Sequence, residues 1–176
     1  DLYAGGAFST AGGATVNNIA KWNGSGWSAL GSGTNGTVQA LAVTGTDLYA
    51  GGIFGTAGAV TAPYIAKWNG TAWSSLGSGM NGIVLALGVS GTDLYAGGGF
   101  TTAGGATVNR IAKWNGSAWS ALGSGVNGFQ VLALAADSSN HVFLGGDFTL
   151  AGTTVSPYIV QANLNDPQIT VQGNGQ

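Results

Sequence analysis

Apolar residues in this chain come in short runs closed off by turn residues, and no run carries the spacing of an amphipathic helix. The stretch that starts at Val38 shows the pattern best, with the segments VQALAV, LYAGG, IAKW and WSSLGSG in succession. Each is the length of a strand, so the reading is all-β. In VQALAV, and in VLALGV from Val84 and VLALAA from Val131, both alternating sets of positions are mostly apolar. That pattern predicts a strand buried on both faces. Ala42, Gly88 and Ala135 share one position in it, where small residues allow close approach near a crowded axis. The paired glycines Gly5-Gly6, Gly51-Gly52, Gly97-Gly98 and Gly145-Gly146 lie inside the LYAGG pattern and predict a bulge or a close backbone contact. Asn-Gly turns beginning at Asn23, Asn69 and Asn115 predict hairpins, since Asn and Gly both tolerate positive φ. Between LYAGG and IAKW runs TAGGATVN, read as a long loop.

The pattern also repeats. DLYAGG at Asp1 returns at Asp47 and Asp93, a period of 46, and again more loosely as HVFLGG at His141. Asp1–Gly36 and Asp93–Gly128 differ at five positions: Ala7/Gly99, Ser9/Thr101, Asn18/Arg110, Gly26/Ala118 and Thr34/Val126. Pro63-Tyr64 and Pro157-Tyr158 mark the second and fourth copies, as though a two-unit block had been duplicated. Four short strands per repeat of this length are the signature of a β-propeller blade. The expected architecture is a propeller of about four 46-residue, four-stranded blades, with units near 1–37, 38–83, 84–130 and 131–165. A β-solenoid fits less well, because its strands run parallel and these turns make antiparallel hairpins. Two tryptophans per unit bracket the Asn-Gly turn and are expected to fill the space between sheets.

The string LYAGGxFxTAGG…IAKWNG..WSALGSG.NG.V.ALAV resembles the repeat of extracellular β-propellers of bacterial secreted proteins. It is similar to the propeller of the fungal cortical marker for cell polarity and, more distantly, to Kelch and galactose-oxidase-type blades. The resemblance spans roughly residues 1–165 and implies a scaffold that hosts many unrelated activities. Such domains close with more blades than are visible here, or by pairing of arrays. A larger parent propeller or a dimer of arrays is therefore open. Residues 166–176 break the repeat and read either as a closing strand or as a linker to a further C-terminal domain. Asp1 enters mid-repeat, so the chain reads as a mature fragment or part of something longer.

Composition narrows the partners. There are 34 glycines, four basic residues, no glutamate and no cysteine in 176 residues, with a net charge of −2. That balance offers no footprint for a phosphate backbone, so nucleic acid is not an expected partner. No apolar run reaches the length of a membrane-spanning helix, and neither a disulfide framework nor a thiolate metal site is available.

Candidate chemistry is sparse. Asp47 and Asp93 recur in one turn position and read as turn formers. Lys21, Lys67 and Lys113 share a strand position with Gln161 and read as a solvated edge. Asp147, His141 and Asp137 are the distinctive polar groups of the fourth unit, from which a metal site could be drawn; the expectation is no metal, no cofactor and no catalytic residue. Asn23, Asn35, Asn69 and Asn115 lie in N-x-[ST] sequons for which a turn role suffices. What varies between similar units is the pair of residues before IAKW, which places the candidate ligand-binding residues at Tyr64, Tyr158, Asn18 and Arg110. The functional expectation is a non-catalytic extracellular or cell-surface binding or adhesion module, contacting a cell-surface protein or glycan. The alternatives are a self-assembling surface, sheath or fibre component, which forms homo-oligomers, and a propeller hydrolase acting on carbohydrate.

Overall fold

In the computed structural model, residues 1–137, 139 and 141–164 are described, and among them every regular element is a strand. Four antiparallel sheets follow one another along the chain. The second contains Thr37–Thr44, Asp47–Ile53, Ile65–Trp68 and Trp73–Ser75 side by side in chain order. The third repeats it with Val84–Ser90, Asp93–Gly98, Ile111–Trp114 and Trp119–Ala121. The first sheet has Leu2–Gly5, Ile19–Trp22 and Trp27–Ala29, and the fourth has Val131–Ala136, His141–Gly146 and Ile159–Asn163. The expected closing-strand or linker role of 166–176 lies outside the described residues.

The TAGGATVN segment is more ordered than a loop. In each unit it forms a small side hairpin of two-residue strands, such as Thr56–Ala57 with Val60–Thr61. The sequence pattern concealed it because two residues are too few to show alternation. The Asn-Gly turns also differ in detail from expectation. Only the glycines, Gly24, Gly70 and Gly116, take positive φ. The asparagine acts instead through its side chain, with Asn23 Oδ1 accepting from the N–H groups of Ser25 and Gly26 and Asn69 and Asn115 doing the same in their turns.

The glycine pairs meet both of their expectations. Opposite Gly51-Gly52, Gly97-Gly98 and Gly145-Gly146 the first strand of the sheet slips register, between Val38 and Ala40, Val84 and Ala86, and Val131 and Ala133. A Cβ on Gly52, Gly98 or Gly146 would strike the carbonyl oxygen of Thr37, Ile83 or Gln130. A Cβ on Gly5, Gly51 or Gly97 would strike Val38, Val84 or Val131 of the following sheet. One glycine thus admits a neighbouring strand and the other a neighbouring sheet.

Sheets pack face to face in chain order. One face of the second sheet supplies Tyr49, Ile65 and Leu76, and onto it lie Leu94, Ala96, Ala112, Trp114 and Trp119 of the third. Tyr3, Ile19 and Leu30 receive Leu48, Ala50, Ala66, Trp68 and Trp73 in the same way, and Tyr95, Ile111 and Leu122 receive Val142, Leu144, Val160 and Ala162. The tryptophans fill these junctions as expected. Their rings pair across the Asn-Gly hairpin with centroids 5.3 Å apart in the second and third units. Trp73 donates its indole N–H to the Leu30 carbonyl (2.8 Å) and Trp119 to that of Leu76 (3.0 Å), each one sheet back.

The first strands of neighbouring sheets run beside one another, and at Gly88 a Cβ would meet Leu134 of the next sheet, so close approach holds there. Burial on both faces does not hold along the whole strand. Val43 in the second sheet and Leu132, at the register slip of the fourth, are about half exposed.

Burial pushes the Tyr95 hydroxyl up to about 12, with the nearby Asp93 carboxylate a smaller cause in the same direction. The folded state thus favours neutral tyrosine. The contribution is whole below the unfolded value of 10.0 and is lost as pH rises from there through the folded value. Denaturant unfolding between about pH 10 and 12 is therefore expected to show a steep loss of stability that Tyr95→Phe flattens. An unchanged slope in that variant would place the alkaline sensitivity elsewhere.

Candidate functional site

The residue before each IAKW-type strand is bent into the left-handed region in all four units: Asn18 (φ 63°), Tyr64 (64°), Arg110 (66°) and Tyr158 (70°). For a tyrosine or arginine this conformation costs of order 1 kcal/mol or more. Backbone bonds impose it. The Tyr64 N–H donates to the Phe54 carbonyl (2.8 Å), and the Tyr64 carbonyl accepts from Gly52 N–H (3.0 Å). Phe8 and Gly6 hold Asn18, Phe100 and Gly98 hold Arg110, and Phe148 and Gly146 hold Tyr158 in the same way. Main chain rather than side chain fixes the bend, so the side chain is released to vary.

Beside this bend the return loop of one unit meets the side hairpin of the next. Gly58 N–H donates to the Gly33 carbonyl (2.7 Å), Gly104 to Gly79 (2.7 Å) and Gly152 to Gly125 (2.8 Å). An asparagine clamps each junction from the side. Asn35 Oδ1 accepts from the N–H groups of Gly55 and Thr56, Asn81 Oδ1 from Thr101 and Thr102, and Asn127 Oδ1 from Thr149 and Leu150. Sequence reading missed this clamp. The signal was present, since Asn35, Asn81 and Asn127 recur at one position before the first strand of each sheet.

Polar clefts open at these junctions. The first, about 370 Å³, is lined by Asn17, Asn18, Ser32, Asn35 and Thr56 among others. Asn35 also lines a second hollow with Phe54, Pro63 and Tyr64, so Asn18 and Tyr64 belong to two clefts that share one residue. Much of the amide chemistry is already spent. Asn17 Nδ2 donates to the Ser32 carbonyl (2.9 Å) and Asn18 Nδ2 to that of Thr34 (2.8 Å). The amide oxygens of Asn17 and Asn18 and the Asn35 nitrogen have no protein partner among the described residues. Arg110 belongs to a separate cleft with Asn109, Ser124 and Asn127, and its Nε donates to the Phe129 carbonyl (3.0 Å). Tyr158 stands apart on the fourth unit, exposed. The four candidate residues thus occupy one structural position in successive units, and Asn18 and Tyr64 line separate clefts that meet at Asn35.

The three lysines are paired within the fold. Lys21 pairs with Asp1 (2.9 Å), Lys67 with Asp47 (3.1 Å) and Lys113 with Asp93, each across two adjacent strands. The aspartate does more than form a turn and the lysine more than line an edge, although partly exposed pairs contribute only about 0.2–1 kcal/mol each. Their loss together in the fourth unit, at His141 and Gln161, is the sequence trace of that pairing. There Asp137 Oδ2 lies 2.9 Å from His141 Nδ1, and this bond holds the Asp137 carboxyl below its ordinary range. Asp147 is at the other end of the His141 strand, roughly 20 Å along it, so the trio does not gather. Among the described residues no group of three His, Cys, Asp or Glu is placed to hold a metal. No protein-family model matches this chain, and no curated protein matches it.

Proposed function

We propose that the chain is a non-catalytic binding module of the extracellular or cell-surface kind, built on propeller-like blades, whose ligand is an uncharged, hydroxyl-rich glycan. The observation that carries the reading is the pair of clefts that meet at Asn35: among the described residues two amide acceptors and one amide donor of the first have no protein partner, and the half-buried Tyr64 lines the second. Amides paired with an aromatic edge suit sugar hydroxyls and sugar faces, and the lack of unpaired charge at the groove suits a neutral ligand. A hydrolase would need two carboxylates facing each other across a sugar. Asp1, Asp47 and Asp93 are instead tied to lysines, and Asp137 to His141.

Glycan-array binding of the soluble chain tests this directly. Binding to neutral oligosaccharides is expected, with at least a tenfold loss in an Asn18→Ala/Tyr64→Ala variant that keeps wild-type circular dichroism, roughly the effect of removing one hydrogen bond and one aromatic contact. No glycan above background, or binding that the double variant retains, sinks the reading.

A further inference from the structure

The third and fourth units meet at a cleft that copies the one between the first and second, and a few differences between similar units change its chemistry. Its volume is about 290 Å³, and Asn109, Arg110, Ser124, Asn127 and Gly152 are among its lining residues. Arg110 stands where the first unit has Asn18, on the same left-handed bend. Lys21, Lys67 and Lys113 each hold an aspartate, whereas Arg110 has no acidic partner among the described residues. The Phe129 carbonyl fixes its Nε (3.0 Å), which leaves both terminal nitrogens of a half-buried guanidinium without a protein partner there.

Two further groups adjoin this cation. Asn109 Nδ2 donates to the Ser124 carbonyl (2.7 Å), and its Oδ1 has no protein partner among the described residues. Phe129 is an extra residue: Val131 follows Asn127 by four positions, where Val38 follows Asn35 and Val84 follows Asn81 by three. Gly128 beside it takes positive φ (85°), which its counterparts Gly36 and Gly82 do not. Main-chain bonds hold the inserted residue, its N–H donating to the Asp147 carbonyl (3.1 Å) and its own carbonyl accepting from Arg110. The ring is left 83% exposed. The nearest opposing charge on the adjoining strand, the Asp147 carboxylate, accepts from Gln130 Nε2 (3.4 Å) and forms no ion pair with Arg110.

We propose that this cleft binds the carboxylate of an acidic sugar, a hexuronate or sialate residue of a glycan. Arg110 takes the carboxylate, Asn109 Oδ1 a ring hydroxyl, and Phe129 offers its exposed ring to the apolar face of the sugar. Two free terminal nitrogens of a planar guanidinium match the two oxygens of a carboxylate. A cation alone would serve any anion; the free amide acceptor and the exposed ring favour a sugar over an acidic peptide. The site is separate from the clefts at Asn35 and does not depend on the neutral-glycan reading.

Binding of the full chain to uronate- and sialate-bearing oligosaccharides, their carboxyl methyl esters and poly-glutamate tests this. The carboxylate forms are expected to bind, with salt weakening them and esterification costing about tenfold or more. Arg110→Asn installs the first unit's residue on a bend that main-chain bonds maintain, so it should melt as the wild type and lose binding by a similar factor. Asp147→Asn removes the opposing charge and should strengthen binding, which a merely steric role for Arg110 would not produce. The proposal is overturned if no acidic oligosaccharide binds above background, if the esters or Arg110→Asn retain full binding, or if poly-glutamate binds as tightly. Loss of acidic-sugar binding in the Asn18→Ala/Tyr64→Ala variant would assign the carboxylate to the clefts at Asn35 and overturn it too. Failure of neutral oligosaccharides to bind bears only on the earlier reading.

Discussion

Trp119→Ala is expected to reduce the unfolding free energy by about 3–5 kcal/mol, the range for removing a large aromatic from a packed interior. The ring sits between the second and third sheets, pairs with Trp114 and donates to the Leu76 carbonyl. Its removal opens a cavity and breaks the one indole bond that ties those sheets together at that point. Trp73→Ala should match it, since Trp73 makes the same bond to Leu30. Trp27→Ala should cost less than half as much, on the order of 1–2 kcal/mol, because its ring is half-buried and lacks the bond. Stability of a domain is only about 5–15 kcal/mol, so the first two losses are large. Denaturant titrations at low protein concentration, with slopes compared as well as midpoints, measure all three. Equal losses at Trp27 and Trp119 would refute the assignment of the stabilisation to the sheet junction.

Gly98→Ala is the second large effect, with an expected loss of about 3 kcal/mol or more, at the upper end of what overpacking costs. The added methyl would press on the Ile83 carbonyl oxygen and stand 3.0 Å from the Val84 Cα, both of them backbone. Neither can swing aside as a side chain can, and the strand they belong to is already bulged opposite the glycine pair. Gly145→Ala is the control. There the nearest atoms to a new Cβ are the Tyr158 carbonyl oxygen at 3.7 Å and the Ala133 Cβ at 3.9 Å, ordinary contact distances. Its effect should stay within about 1 kcal/mol, since restricting the unfolded chain offsets part of any cost. Comparable melting temperatures for the two variants would mean that the register slip relaxes to admit a methyl group.

The strands were legible in the sequence because each apolar run is bounded by its own turn chemistry, and four copies of that chemistry agree. The all-β class and the antiparallel order VQALAV, LYAGG, IAKW, WSSLG follow from this and appear in the second and third sheets. The glycine pair was legible as a close approach for the same local reason, although which neighbour needs each glycine depends on sheets distant in sequence. What the pattern could not reveal is settled by tertiary partners. The side hairpins are too short to show a period, and the Asn35, Asn81 and Asn127 clamps act on main chain about twenty residues downstream. The Asp47–Lys67 pair depends on strand register rather than on spacing along the chain. At the candidate groove, variation at Asn18 and Tyr64 was visible, but the reason for it was not. A left-handed bend held by main-chain bonds on both sides cannot be inferred from a tyrosine in one unit and an asparagine in another.

Packing that runs only between neighbours in the chain gives the molecule a short-range economy of stability. Each sheet's share is its own folding tendency plus the coupling across one or two junctions, as in a one-dimensional array. Among the described residues the second and third sheets are coupled on both sides, and the first and fourth on one. The same arithmetic makes elongation favourable. Each added sheet that covers an end face brings the coupling of a full junction, so a scaffold of this kind can lengthen by duplication of a unit without redesign of its interior.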